Sequence, residues 1–96
     1  MTQKRYRFIY SKQAEKFLLR NSSRLQQADV EINVAKAIRK IAKDEQNNAD
    51  VKPLKGDLKG YFRVRLGDIR VVFAYLDGDI RIVDIDAIDY RGSVYN

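Results

Sequence analysis

Three arginines crowd one stretch of this 96-residue chain. Arg63 and Arg65 stand two apart in Phe62-Arg63-Val64-Arg65-Leu66, and Arg70 follows a Gly67-Asp68 pair. Alternation of this kind sends successive side chains to opposite faces of a strand. Tyr61, Arg63 and Arg65 therefore share one face, and Phe62, Val64 and Leu66 share the other. Gly-Asp between two such runs is a hairpin signal, so Arg70 opens a returning strand beside the first pair. Guanidiniums stay charged at ordinary pH and fork onto phosphate oxygens. Three of them at one end of a two-stranded sheet suit a polyanion. The same spacing also describes the solvated face of an ordinary antiparallel sheet, so it does not assign a site by itself.

What the chain lacks narrows the chemistry further. It has no cysteine, which removes disulfides, thiolate zinc sites and a cysteine nucleophile. That agrees with a reducing cytosol and a cytoplasmic protein. It has no histidine, which removes imidazole acid-base pairs, histidine metal sites and Ser-His-Asp triads. The net charge is +6 and the pI about 9.7. Such a balance favours an anionic partner, either nucleic acid or an acidic protein segment. The basic N-terminal decapeptide lacks the apolar run of a signal peptide, and no run is long enough to span a membrane. Asp84 and Asp86, two apart on the last strand, read as charge partners of cross-strand arginines rather than a metal or acid-base pair. Of the tyrosines, Tyr61 and Tyr90 lie nearest the arginines in sequence and are the better candidates for stacking on bases; strand tyrosines in general pack or edge the sheet.

The elements that must hold the arginines follow from pattern. Arg5 to Tyr10 is short and rich in strand formers. Ser11 caps a helix with Glu15 in its first turn and an apolar stripe of Ala14, Phe17 and Leu18. Asn21-Ser22-Ser23 breaks it, and Ser23 with Gln26 reads as a capping box for a second helix. Ala28, Ile32, Ala35, Ile38 and Ala42 recur there at helical spacing, with Val34 and Ile41 on the flank. Asp44 to Asp50 is a polar loop, and Pro53-Leu54-Lys55-Gly56 a turn. Three strands complete the chain at roughly Gly60–Leu66, Ile69–Leu76 and Ile80–Ile88, the last two joined at Asp77-Gly78. A short polar tail runs from Asp89 to Asn96. The whole reads as one α+β domain over residues 1–96: an N-terminal strand, then a two-helix hairpin packed on a mainly antiparallel, twisted sheet that a three-strand C-terminal meander completes. The sheet face away from the helices is expected to be open and basic.

The ordered set of motifs resembles the RelE/ParE superfamily of bacterial type II toxin–antitoxin toxins. The residues that carry the resemblance are Ser11-x-x-Ala14 with Phe17, Pro53-Leu54-Lys55-Gly56, the run from Phe62 to Phe73, and Ile88-Asp89-Tyr90-Arg91-Gly92-Ser93-Val94-Tyr95. The resemblance implies a RelE-like fold and one of two activities. RelE-like members are ribosome-dependent endonucleases that cut mRNA in the A site, whereas ParE-like members poison DNA gyrase. The terminal Val94-Tyr95 matches the RelE-like pattern, in several members of which a tyrosine at this place is catalytic. By the same carry-over the catalytic set is Arg63, Arg65, Arg70, Arg91 and Tyr95; Lys52, Lys55 and Lys59 near the turn, and Tyr61 and Tyr90 near the arginines in sequence, are the residues expected against the RNA. This chain departs from the pattern by having arginine at both early strand positions and Tyr90 where many members have histidine. The chemistry would be attack of the RNA's own 2′-hydroxyl on the scissile phosphate, without metal or other cofactor. Arginine cannot serve as the base. That leaves Tyr95, a lysine at the turn or an aspartate, and Tyr95 beside several cations is the leading choice. Implied partners are a cognate antitoxin from the same operon, the ribosome and its mRNA, with operator DNA reached only through the antitoxin complex. The alternatives are a ParE-like gyrase inhibitor and a catalytically inactive antitoxin-binding relative.

Overall fold

The computed structural model describes residues 4–91. Its elements in chain order are β1 (Arg5–Tyr10), α1 (Lys12–Arg20), α2 (Gln27–Ile41), β2 (Val51–Pro53), a 3-10 turn (Gly56–Leu58), β3 (Phe62–Leu66), β4 (Ile69–Leu76) and β5 (Ile80–Tyr90). The strands form one sheet in the order β1-β5-β4-β3-β2. β1 runs parallel to β5 and every other pairing is antiparallel. The expected α+β architecture is therefore the observed one, with the N-terminal strand inserted beside the last strand of the meander. No helix among the described residues is long and apolar enough to cross a membrane.

The helices cover one face because alternation in every strand supplies that face with apolar residues. Val64 of β3, Ile69, Val71 and Phe73 of β4, and Val83, Ile85 and Ile88 of β5 are buried there. Ala14 and Phe17 of α1 and Val30, Val34, Ala37 and Ile38 of α2 pack onto them. The apolar stripe of α2 differs in phase from the expected one. Ile32 is 66% exposed, and the stripe runs through Val30, Val34, Ala37 and Ile38 toward Ile41. Two stripes competed on this helix. The one with more branched aliphatic area went inward, since burial scales with apolar area.

The start of α2 also differs from expectation. The chain turns at Asn21, whose carbonyl accepts the N–H groups of Arg24 and Leu25 at 2.9 Å each. Leu25 is buried by this turn, so the helix begins after it. Its N-terminal bond is from the Gln26 N–H to Asp29 Oδ2 at 2.9 Å, not a Ser23–Gln26 box. The Ser11 cap is as expected: Ser11 Oγ accepts the Ala14 N–H at 3.1 Å.

β5 carries a bulge. Val72 pairs with Ala87 and Phe73 with Ile85, which leaves Asp86 over. One extra residue reverses the inside-outside alternation. Ile85 and Ile88, three apart, therefore both face the helices. The bulge also places Asp89 opposite Arg70, while Asp84 lies opposite Ala74. The expected pairing of Asp84 and Asp86 with cross-strand arginines is thus replaced by Asp89. The strand itself continues to Tyr90, into what the pattern read as tail.

Beyond Ile85 the last strand has no β1 partner, because β1 ends at Tyr10. Side chains at the start of α1 take over. Ser11 Oγ donates to the Asp86 carbonyl at 2.7 Å. The Gln13 amide donates to the Ile88 carbonyl at 2.6 Å and accepts the Ile88 N–H at 2.8 Å. These bonds satisfy backbone groups at the sheet margin and fix the strand end that delivers Arg91.

Candidate functional site

The arginine pattern resolves into one corner of the sheet face that the helices leave uncovered. Arg65 of β3 lies directly opposite Arg70 of β4, and Lys52 of β2 lies opposite Arg63. β2 is a strand, although Pro53 and its length of three residues hid it from the pattern. Proline is tolerated there because β2 is an edge strand. Pairing resumes past it, with the Leu54 N–H donating to the Tyr61 carbonyl at 2.9 Å. The 3-10 turn then returns the chain through Gly60, whose φ of +98° suits glycine. Between this turn and the sheet lies a cleft of about 420 Å³ lined by Lys52, Pro53, Leu54, Lys55, Leu58, Arg63 and Arg70.

Arg91 joins the cluster from the end of β5. Its N–H donates to the carbonyl of Asp68, in the β3–β4 turn, at 2.7 Å. The positive φ of Gly67 (+65°) forms that turn. A second anchor crosses the same turn: Arg24 holds both carboxylate oxygens of Asp68 at 3.1 and 3.0 Å. Electrostatics register the convergence. Burial lowers the Arg70 pKa, and the charges of Arg63, Arg65 and Arg91 lower it further. Four guanidiniums from three strands thus feel one another, which is the arrangement a phosphate would relieve.

One carboxylate stands inside the cluster. Asp50, just before β2, places Oδ1 3.1 Å from Arg63 Nη1 and Oδ2 3.6 Å from Arg65 Nη1. Its carbonyl accepts from Arg63 Nη1 at 3.2 Å and from the Arg65 N–H at 3.0 Å. The Arg63 hydrogen bond and the charges of Arg63, Arg65 and Lys52 hold the Asp50 pKa below the ordinary carboxylate range. Sequence reasoning missed Asp50 because it closes a polar, aperiodic loop. Its place beside the short run Val51-Lys52-Pro53 was the only available signal.

Lys55 and Lys59 are exposed and flank the 3-10 turn, with Lys55 lining the cleft. Tyr61 is half-buried at the mouth of β3, its backbone tied to Leu54 and Leu58. Tyr90 sits elsewhere. The β5 bulge turns it to the helical side, where its ring lies 5.3 Å from that of Phe17. Its hydroxyl donates to Asn21 Oδ1 at 2.6 Å, and Arg24 lies over its ring at 5.1 Å. A base-stacking role for Tyr90 on the arginine face does not fit this placement. Tyr6 and Tyr75 likewise pack against the helix-side core. Tyr95, with Val94, lies outside the described residues.

A second arginine site was not foreseen. Arg81 of β5 is 2% exposed on the helical side. It bonds Asp77 at 3.0 Å, Asp44 at 2.8 Å and the Tyr6 hydroxyl oxygen at 2.9 Å. Its partners come from the β4–β5 turn, the turn that follows α2, and β1. It ties three segments together at the end of the sheet remote from the cluster.

Among solved structures the chain is similar to a YafQ point mutant from E. coli, at 14% identity and a TM-score of 0.61, covering 96% of this chain and 100% of that one. It is also similar to a YoeB/ParE toxin from Agrobacterium tumefaciens, at 18% identity and 0.56, covering 88% and 97%. The toxin–antitoxin complex RelBE2 from Mycobacterium tuberculosis contains a further similar chain, at 23% identity and 0.51, covering 91% and 99%. These likenesses show the fold. No curated protein matches the chain at a significant level. The family described as the ParE toxin of the type II toxin–antitoxin system parDE matches residues 8–95. That match runs from β1 through the arginine strands and past β5, and by it this chain belongs to the ParE toxin family, within the RelE/ParE superfamily of type II toxin–antitoxin toxins.

Proposed function

We propose that this toxin is a ribosome-dependent mRNA endonuclease of the RelE-like kind, acting in the cytoplasm. The observation that carries the reading is the convergence of Arg63, Arg65, Arg70 and Arg91 beside a basic cleft. Cleavage by the RNA's 2′-hydroxyl needs a proton removed, the charge of the phosphorane stabilised and the 5′-oxygen protonated. Preorganised guanidiniums supply the second, and removing one such donor typically costs about a hundredfold in rate. Arg65, Arg70 and Arg91 take this role, with Arg63 held deeper. Lys52, Lys55 and Lys59 take the RNA backbone, and Tyr61 a base. Tyr95 is assigned the base on the resemblance of Val94-Tyr95 to the RelE-like terminus, and Lys55 stands second. The scheme calls for no metal. Positioning of the mRNA by the ribosome supplies the rest of the geometry.

The partner that silences the toxin is a co-encoded antitoxin, and the pair reaches operator DNA through the antitoxin. Similar solved chains occur in toxin–antitoxin complexes. A +6 surface draws an acidic or amphipathic peptide and speeds its association. A second reading, gyrase inhibition, is favoured by one observation: the matching family carries the parDE name. Mapping of mRNA 5′ ends after expression of the toxin alone separates the two. Cuts inside codons with falling translation support the nuclease. Continued translation with accumulating DNA breaks replaces it with the gyrase reading.

A further inference from the structure

We infer that Asp50 is the positioning residue of the arginine cluster, an inference that rests on the nuclease reading above. Like-charged residues directly opposite on neighbouring strands repel, and Arg65 stands directly opposite Arg70. A guanidinium withdrawn from water also needs a counter-charge to hold one conformation. The Arg63 side chain is only 9% exposed, while the Asp50 side chain keeps 50%. Asp50 meets both needs from a single point. Its two carboxylate oxygens engage one nitrogen each of Arg63 and Arg65, and its carbonyl holds the Arg65 backbone and the Arg63 guanidinium. A guanidinium has five N–H donors, so engagement by Asp50 at one nitrogen leaves capacity for a phosphate.

Asp50 is not the general base. A base works best with a pKa near the operating pH. The surrounding cations hold Asp50 below the ordinary carboxylate range, and both oxygens face guanidiniums. Its effect on the reaction passes through the arginines. It sets where the positive charge sits and slightly lowers how much of it the RNA meets.

Asp50→Asn tests this, since it keeps the size and one acceptor but removes the charge. On programmed ribosomes the variant should lose about ten- to a hundredfold in kcat, the scale of a misplaced catalytic group, with KM unchanged or lower. Its binding to an uncleavable 2′-deoxy oligonucleotide should tighten, with a salt dependence steeper by about 0.7 in log–log slope for the one charge removed. Asp50→Glu, which retains the charge, should recover part of the kcat. In NMR the Arg63 guanidinium of the wild type should rotate slowly, and Asp50→Asn should release it. A kcat that is unchanged or raised overturns the inference, as does a raised KM at constant kcat. If the wild type itself cuts no mRNA, the nuclease reading fails, and the Arg63 signal alone then decides whether Asp50 holds the guanidinium.

Discussion

Replacing Arg81 with methionine isolates the value of the buried guanidinium, because methionine keeps an aliphatic stem in its place. The guanidinium is 2% exposed and faces Asp77, Asp44 and the Tyr6 hydroxyl. Its two carboxylate partners each retain 44% side-chain exposure, so water reclaims them once the arginine is gone. The cost therefore stays near that of lost charged hydrogen bonds, about 1.5–3 kcal/mol each, less the relieved desolvation of the guanidinium. A net loss of about 2 kcal/mol follows, or roughly 8–16 °C in Tm for a domain of this size. Arg81→Ala also empties the space against the Tyr6 ring and should lose roughly 3–4 kcal/mol. Acid provides an independent check. Hydrogen bonds from Arg81 and then Lys4 lower the folded Asp77 pKa from 3.8 to about 2. A depressed carboxyl contributes stability that is present above its unfolded pKa and is lost as pH falls through the folded one. Wild-type stability should thus decline between about pH 4 and pH 2, and that decline should be shallower in Arg81→Met. Urea unfolding at pH 7 and across this window measures both effects. A methionine variant as stable as wild type at pH 7 would show that burying the guanidinium costs as much as its partners return, and that Arg81 does not hold the three segments together.

Arg65→Ala and Arg70→Ala should each lose about a hundredfold in cleavage while thermal melting stays close to wild type. Arg63→Ala should instead lose stability too, by about 1.5–3 kcal/mol, since its side chain is buried against Asp50; melts and toxicity of the three variants separate charge from packing. Gln13→Ala should cost about 1 kcal/mol and raise amide exchange at Ile88, because it deletes two bonds to that residue's backbone; unchanged exchange there would refute the strand-margin role. Tyr95→Phe should lower cleavage without altering stability, and a wild-type rate would pass the base to Lys55.

Much of the fold was legible because its signals are local. The Ser11 cap, the Gly67-Asp68 turn and the alternation of β3 and β4 each depend on a few adjacent residues. The arginine corner was legible for the same reason, since one hairpin carries three of its four guanidiniums. What escaped depends on contacts made at long range. The phase of α2 was decided by which stripe the sheet would bury, and the three alanines in the expected stripe weighed too little. The bulge at Asp86 has no sequence signature, yet it moves Tyr90 to the helical face and brings Asp89 opposite Arg70. Arg81 looks like any strand arginine until Asp44, Asp77 and Tyr6 surround it. Asp50 is one acid among many in a polar loop, and only the pairing of β2 with β3 reveals what it holds.

On the nuclease reading, the arginine corner cuts mRNA. The most direct test is purified toxin added to ribosomes carrying an mRNA with a defined A-site codon. Wild-type protein should cut that codon and Arg70→Ala should do so about a hundredfold more slowly. Intact mRNA under wild-type protein, with DNA cleavage complexes forming when gyrase is supplied, would contradict it.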